Sequence, residues 1–254
     1  DGGDGFDRVD YRTYSSAGVN VDLESGVVSQ DGTNGVDHIT SIELVDGSFF
    51  DDVIKGSSSY DFLYGNAGND TINGRGGDDY ILGMDGDDVL DGGDGDDVMD
   101  GGLGIDTVSY ASAASGITVN LTTTTAQNTL GAGTDTLVRI ENIIGSDFND
   151  ILVGDGLGNA LYGGLGNDSL NGGLANDTLY GGAGNDKYIY SSGSGKGNDL
   201  IEDESGSADK ISFGSSYTAA NTSLVRVGQY DLALVSGGQD LFYIKNQFTL
   251  DGSI

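Results

Sequence analysis

A nine-residue period constrains this chain more than any other feature. It reads Gly65-Asn66-Ala67-Gly68-Asn69-Asp70-Thr71-Ile72-Asn73, then Gly74-Arg75-Gly76-Gly77-Asp78-Asp79-Tyr80-Ile81-Leu82, then Gly83-Met84-Asp85-Gly86-Asp87-Asp88-Val89-Leu90-Asp91. Gly92-Gly93-Asp94-Gly95-Asp96-Asp97-Val98-Met99-Asp100 and Gly101-Gly102-Leu103-Gly104-Ile105-Asp106-Thr107-Val108-Ser109 continue the run. In all, twelve copies keep register, seven from Gly47 and five from Gly145, which chance does not produce. Two earlier copies place Asp52 and Asp61 at the sixth position. The second block carries Asp150 and Asn159, then Gly163-Gly164-Leu165-Gly166-Asn167-Asp168, Gly172-Gly173-Leu174-Ala175-Asn176-Asp177 and Gly181-Gly182-Ala183-Gly184-Asn185-Asp186.

Each position has a physical job. Glycines open the turn to left-handed backbone and close approach. Such a turn leaves carbonyl oxygens that must find a donor or a cation. The sixth-position Asp sets a hard carboxylate beside them, and carboxylate plus carbonyl oxygen is the ligand set of calcium. The last three residues form a minimal strand with one apolar side chain turned inward. One aliphatic per nine residues is a thin core. From Asp85 to Asp106 there are also nine Asp and no Lys or Arg, so the carboxylates repel one another. Folding is therefore expected to require bound cations.

The pattern G-G-x-G-x-D-x-U-x, with U apolar, resembles the RTX (repeats-in-toxin, haemolysin-type calcium-binding) family. The resemblance implies an all-β fold, a right-handed parallel β-roll in which two nonapeptides make one turn, with a small β cap at the C-terminal end. It also implies multiple Ca²⁺ ions between stacked turns, held by sixth-position carboxylates and by carbonyls of the first four positions. Carried over residue by residue, those ligands are the sixth-position residues named above, the first four residues of the five repeats from Gly65 to Asp106, and those of the three from Gly163 to Asp186. Asp7 and Asp199 belong to outlying copies. Asp52, Asp70, Asp88 and Asp106 would line one edge of block one, with Asp61, Asp79 and Asp97 on the other. Asn159 brings an oxygen without charge, so the site it shares with Asp177 is expected to be the weakest of its block.

Residues 1–10 read as the end of a preceding repeat block, 11–46 as insert coils of the solenoid, and 47–109 as the first roll block. A second insert covers 110–144, a second block 145–202, and a β-rich cap 203–254. The inserts are copies of each other at a superperiod of about 98 residues: Val19–Leu23 aligns with Ile117–Leu121, and Ile42-Glu43 with Ile140-Glu141.

A net charge of −31 excludes nucleic acid as a partner, since phosphate binding needs basic patches. No membrane insertion is expected, for no apolar run is long enough. With one histidine, His38, and no cysteine, neither a His-based zinc site nor a His-dependent triad can be assembled. No catalytic residue is assigned and no enzyme activity is expected. Metal affinities of extracellular calcium modules leave such sites empty in a cytosol and filled outside. The expected place is therefore secreted or at the bacterial cell surface, and the family resemblance implies type I export. The chain ends at Ile254 and is expected to be a piece of a longer protein. Three roles stay open: a structural or interaction module, the non-catalytic tail of an RTX enzyme (protease, lipase or alginate epimerase), or a self-assembling surface-layer or adhesin protein. The partners other than calcium are correspondingly self-association or the rest of a larger secreted polypeptide.

Overall fold

A computed structural model describes residues 1–13, 15–30, 36–190, 197–202 and 209–213, together with the strands Thr222–Arg226, Leu232–Ser236 and Gln239–Lys245. Every regular element among these residues is a β-strand. The chain forms two compact units, residues 1–114 with 123–142, and residues 115–122 with 143–254.

In the first unit, consecutive nonapeptides send their strands to two different sheets. One sheet stacks Asn20–Asp22, Val53–Lys55, Thr71–Asn73, Val89–Asp91 and Thr107–Ser109, all parallel. The other stacks Arg8–Asp10, Leu44–Asp46, Phe62–Ala67, Tyr80–Asp85, Val98–Leu103 and Thr134–Val138, again parallel. Between repeats the register is eighteen residues, Ile54 on Ile72 on Leu90 on Val108 and Leu63 on Ile81 on Met99. Two nonapeptides therefore make one turn, and each inward aliphatic lands on its counterpart two repeats away. Ile54, Leu63, Ile72, Ile81, Leu90, Met99 and Val108 are all fully buried. Each contributes about 1.5–3 kcal/mol by leaving water.

The inserts supply rungs to the same stacks. Val21 sits on Ile54, and Leu137 on Met99, so each continues a column of apolar side chains. Their surplus length turns back as antiparallel strands, Val27–Gln30 on Asn20–Asp22 and Gln127–Asn128 on Thr134–Val138. Outside the core, Phe62 holds an edge-on cluster with Phe6 and Tyr60, their ring centroids 5.1 and 4.9 Å away.

The second unit repeats the scheme. Thr118–Asn120, Ile151–Val153, Ser169–Asn171, Lys187–Tyr190 and Lys210–Phe213 form one parallel sheet, with Val119, Leu152, Leu170, Tyr188 and Ile211 in column. Ala160–Leu165, Thr178–Ala183, Asp199–Glu202 and Gln239–Lys245 form the facing one. There the pattern changes. Gln239–Lys245, Leu232–Ser236 and Thr222–Arg226 form an antiparallel meander that ends the parallel stack. An open roll presents unpaired strand edges, and a meander of longer strands closes this one. Expected strand residues Val227 and Asp231 lie outside the described residues, as do Gly195 and Lys196 of the imperfect repeat before Asp199.

Candidate metal centres

The sixth-position residues stack into ladders. The N–H of Asp52 donates to Oδ1 of Asp70, that of Asp70 to Asp88 and that of Asp88 to Asp106, at 2.8–2.9 Å. A second ladder climbs from Asp61 to Asp79 to Asp97, each bond 2.8 Å. In the second unit the ladders are Asp150 to Asp168 to Asp186 and Asn159 to Asp177 to Asp199. All of these side chains are nearly inaccessible to solvent.

What happens to the remaining carboxylate oxygen divides them into two groups. In the opening turn of each block, a nearby donor claims it. Ser48 N–H reaches Asp52, Ser57 N–H reaches Asp61 at 2.6 Å, and Ser146 N–H reaches Asp150 at 2.6 Å. Asn159 follows the same plan, its amide oxygen accepting the Asp155 N–H at 2.8 Å. One turn further in, no donor is supplied. Oδ2 of Asp70, Asp79, Asp88, Asp97, Asp106, Asp168 and Asp186 is buried and has no hydrogen-bond partner.

The largest shifts fall on bare carboxylates. Burial, reinforced by neighbouring carboxylates, pushes Asp70 and Asp79 up to about 8, Asp97 and Asp168 up to about 7, and Asp88 up to about 6. Asp52, Asp61 and Asp150 are also raised by burial, but the serine donors pull them back. An anion buried without a partner is costly and calls for a proton or a cation.

The surroundings of the bare oxygens are themselves oxygen-rich. A Cβ on Gly83 would collide with Asp88 Oδ2 and stand 2.6 Å from the Gly101 carbonyl oxygen of the turn above. Gly65 and Gly74 are placed the same way against Asp70 with Gly83 O and against Asp79 with Gly92 O, and Gly163 against Asp168 with Gly181 O. First-position glycine thus leaves a space bounded by one carboxylate oxygen and one carbonyl oxygen. Among the described residues, no three Asp, Glu or His side chains are grouped to hold a metal. A cation here would draw most of its ligands from backbone, which suits calcium and its six to eight oxygens in flexible geometry.

The other turn positions are largely engaged in the backbone. Left-handed φ occurs at second-position Asn66, Arg75, Met84, Gly93, Gly102, Gly164, Gly173 and Gly182, and at fourth-position Gly68, Gly77, Gly86, Gly95, Gly104, Gly166, Gly184 and Ala175. Third-position carbonyls of Asp85, Asp94, Leu103 and Ala183 accept the fourth-position N–H of the turn below. Ala67 pairs with Asp85, Gly76 bridges to Asp94, Leu165 pairs with Ala183, and the Leu174 N–H donates to the Asp155 carbonyl. Gly92 and Gly172 press against Asp97 and Asp177 of their own repeats, and Gly181 against Asp186. Asp7, only partly buried, heads the outlying copy, and its N–H donates to Glu43.

Some ladder members lie outside the two in-register runs, Asp135 in a copy with Leu130 in place of the first glycine (Leu130-Gly131-Ala132-Gly133-Thr134-Asp135) and Asp209 in a stretch without the glycines. Asp135, fully buried in the second insert, accepts the Asp97 N–H at 3.2 Å, while Tyr110 Oη donates to its other oxygen at 3.0 Å. Asp209 does the same for Asp186 at 2.9 Å. The fifth position, free in the consensus, forms a ladder of its own with reversed polarity. Asn69 N–H donates to Asp51, Asp87 N–H to Asn69, and Ile105 N–H to Asp87. Asn149, Asn167 and Asn185 repeat it in the second unit. Enrichment of Asp and Asn at that position is the signal that would have revealed it.

The family model of the RTX calcium-binding nonapeptide repeat matches four overlapping stretches, residues 46–81, 73–108, 153–188 and 162–195. No curated protein matches the chain. Among solved structures it is similar to the extracellular lipase LipA from Serratia marcescens, at 18% identity and a TM-score of 0.28. That likeness covers 87% of this chain and 40% of the lipase, so the chain spans less than half of that protein's length. Over residues 46–108 and 153–195, the chain belongs to the RTX calcium-binding nonapeptide-repeat family.

Proposed function

We propose that this chain is a calcium-dependent β-roll module whose blocks fold as ions bind between stacked turns. The module acts as a structural or interaction part of a secreted or cell-surface bacterial protein and performs no catalysis itself. The observation that carries this reading is the set of buried Oδ2 atoms, from Asp70 to Asp106 and again at Asp168 and Asp186, that lack any donor. Each would bind a calcium ion together with carbonyl oxygen from the turn above. The ion supplies the positive charge that lets ionised carboxylates stack every other repeat, and its binding free energy becomes folding free energy.

The proposed secretion fits the coupling. An extracellular module of modest affinity stays unfolded at cytosolic calcium and folds at millimolar calcium outside. The test is circular dichroism of the chain titrated with calcium chloride after chelation. Strand signal should rise with calcium and respond weakly to magnesium, which demands tight octahedral geometry and keeps its water. A chelated chain that retains its full strand signal would overturn the reading.

A further inference from the structure

At the opening end of block one, two second-position side chains reach back to the first-position carbonyl two repeats earlier. Asn66 Nδ2 donates to Gly47 O at 3.1 Å, and the Arg75 guanidinium to Gly56 O at 2.9 Å. Arg75 goes further. Its terminal nitrogens also take both carboxylate oxygens of Asp22, at 2.9 and 2.8 Å, in the fork geometry that suits a carboxylate. Asp22 Oδ1 accepts the Ser25 N–H as well, at 3.0 Å. Asn20–Asp22 of the first insert, Val53–Lys55 and Thr71–Asn73 are successive rungs of one sheet, so this one side chain spans all three levels. It does so from φ 74°, a left-handed backbone that costs a residue with a Cβ and that Gly93 and Gly102 adopt freely at the same position.

A carbonyl and a carboxylate oxygen are the pair that the proposed function gives to calcium in the interior turns. Here a guanidinium stands between them. Arg75 is 33% exposed and Asp22 25%, so salt screens them less than a pair on the open surface. The second insert supplies an internal control. At the superperiod of about 98 residues, Asp22 is replaced by Asn120 and Arg75 by Gly173, while Gly56 is kept as Gly154. Both charges are lost together. The rung they flank is kept: the Leu23 N–H donates to the Lys55 carbonyl and the Leu121 N–H to the Val153 carbonyl, both at 2.9 Å. We propose that Arg75 is a built-in substitute for a metal ion, its guanidinium clamping the first insert to the roll. The second insert lacks that clamp and depends on the turns beside it. As calcium falls, the second insert therefore leaves the roll before the first. The order of release rests on the calcium reading of the repeats; the clamp itself is made of protein groups alone.

The test is hydrogen exchange of the whole chain, read at the Leu23 and Leu121 amides while a chelator lowers calcium. Leu23 should stay protected at calcium concentrations where Leu121 exchanges. Arg75→Gly, which fits the left-handed backbone and copies the second insert, should cut Leu23 protection several-fold and leave Leu121 unchanged. Asp22→Asn should do the same, and combining the two should add little, as it does for partners in one interaction. Leu121 outlasting Leu23 in the unaltered chain would overturn the inference. So would Leu23 protection that ignores both substitutions, or effects that simply add. Exchange indifferent to calcium throughout, with Leu23 still responding to both substitutions, would support the clamp and overturn the calcium reading instead.

Discussion

The opening turn of each block and the turns above it are spelled with nearly the same nine residues, yet they hold their carboxylates differently. Asp52 is fully supplied from protein: Val19 N–H donates to Oδ1 at 2.7 Å, and Ser48 donates from both its N–H and its hydroxyl. Asp88, two turns further along, has one oxygen on the Asp70 N–H and the other on nothing. The second position separates the cases: Ser48, Ser57, Ser146 and Asp155 turn their N–H onto the sixth-position side chain, whereas Asn66, Arg75 and Met84 hold left-handed backbone there. Where Ser48, Ser57 and Ser146 begin the turn, their N–H and hydroxyl groups do the work that the proposed function assigns to a cation elsewhere. On that proposal a block starts on ordinary hydrogen bonds and continues on metal.

The largest effect that can probe this contrast is calcium removal. Chelation should unfold the interior turns, which keep uncompensated buried carboxylates, before the opening ones. Hydrogen exchange at low calcium would read it, with Ile54 amide protection outlasting that of Leu90. Simultaneous loss of protection at the two would erase the distinction.

Single substitutions come next. Asp88→Ala removes an oxygen that has no donor and should raise the calcium concentration at the folding midpoint several-fold. Asp52→Ala instead strands the Val19 and Ser48 N–H groups. It should cost about 1–3 kcal/mol of stability at saturating calcium while shifting the calcium midpoint little. Equal midpoint shifts from the two variants would show that both turns bind metal alike.

Acid should replace calcium in part. Asp70, Asp79, Asp97 and Asp168 titrate near 7 to 8 in the fold because of burial, against about 4 for an ordinary carboxylate. Between those values the folded chain binds more protons than the unfolded one, so its stability rises as pH falls. That contribution is complete below the ordinary value and is lost as pH climbs through 7 to 8. In chelator, the melting temperature should be higher at pH 5 than at pH 8. A flat profile would mean that those carboxylates are compensated by something other than protons or metal.

Two smaller effects sharpen the comparison inside the second block. Asn159 sits in an opening turn, where its oxygen is already claimed by the Asp155 N–H. Asn159→Asp should therefore leave calcium stoichiometry unchanged and slightly destabilise the calcium-free chain by added repulsion. A lower calcium midpoint would instead place residue 159 at a metal edge. Ala175 holds φ 70° at a fourth position where glycine is the rule. Ala175→Gly should stabilise the folded chain by about 1 kcal/mol, read as a small rise in melting temperature.

Much of the fold was legible because it is local and periodic. An apolar residue every nine, flanked by turn glycines, dictates short strands that stack in register, and the family resemblance adds that two repeats make a turn, which places Ile72 on Ile54. The carboxylate ladder was legible for the same reason. The fifth-position ladder was not, because Asp and Asn there look like solvent-facing turn residues until stacking puts the N–H of Asp87 over Asn69. Asp135, Glu43 and Glu141 lie outside the period, and only the return of each insert to the roll brings them beneath a ladder donor. Composition and period by themselves determined short strands, turns rich in oxygen ligands and a thin core, and the family resemblance that the period carries supplied the β-roll. Tertiary structure alone decided which of those oxygens go without a donor, since a carboxylate's need for metal depends on which N–H groups the neighbouring turns bring within reach.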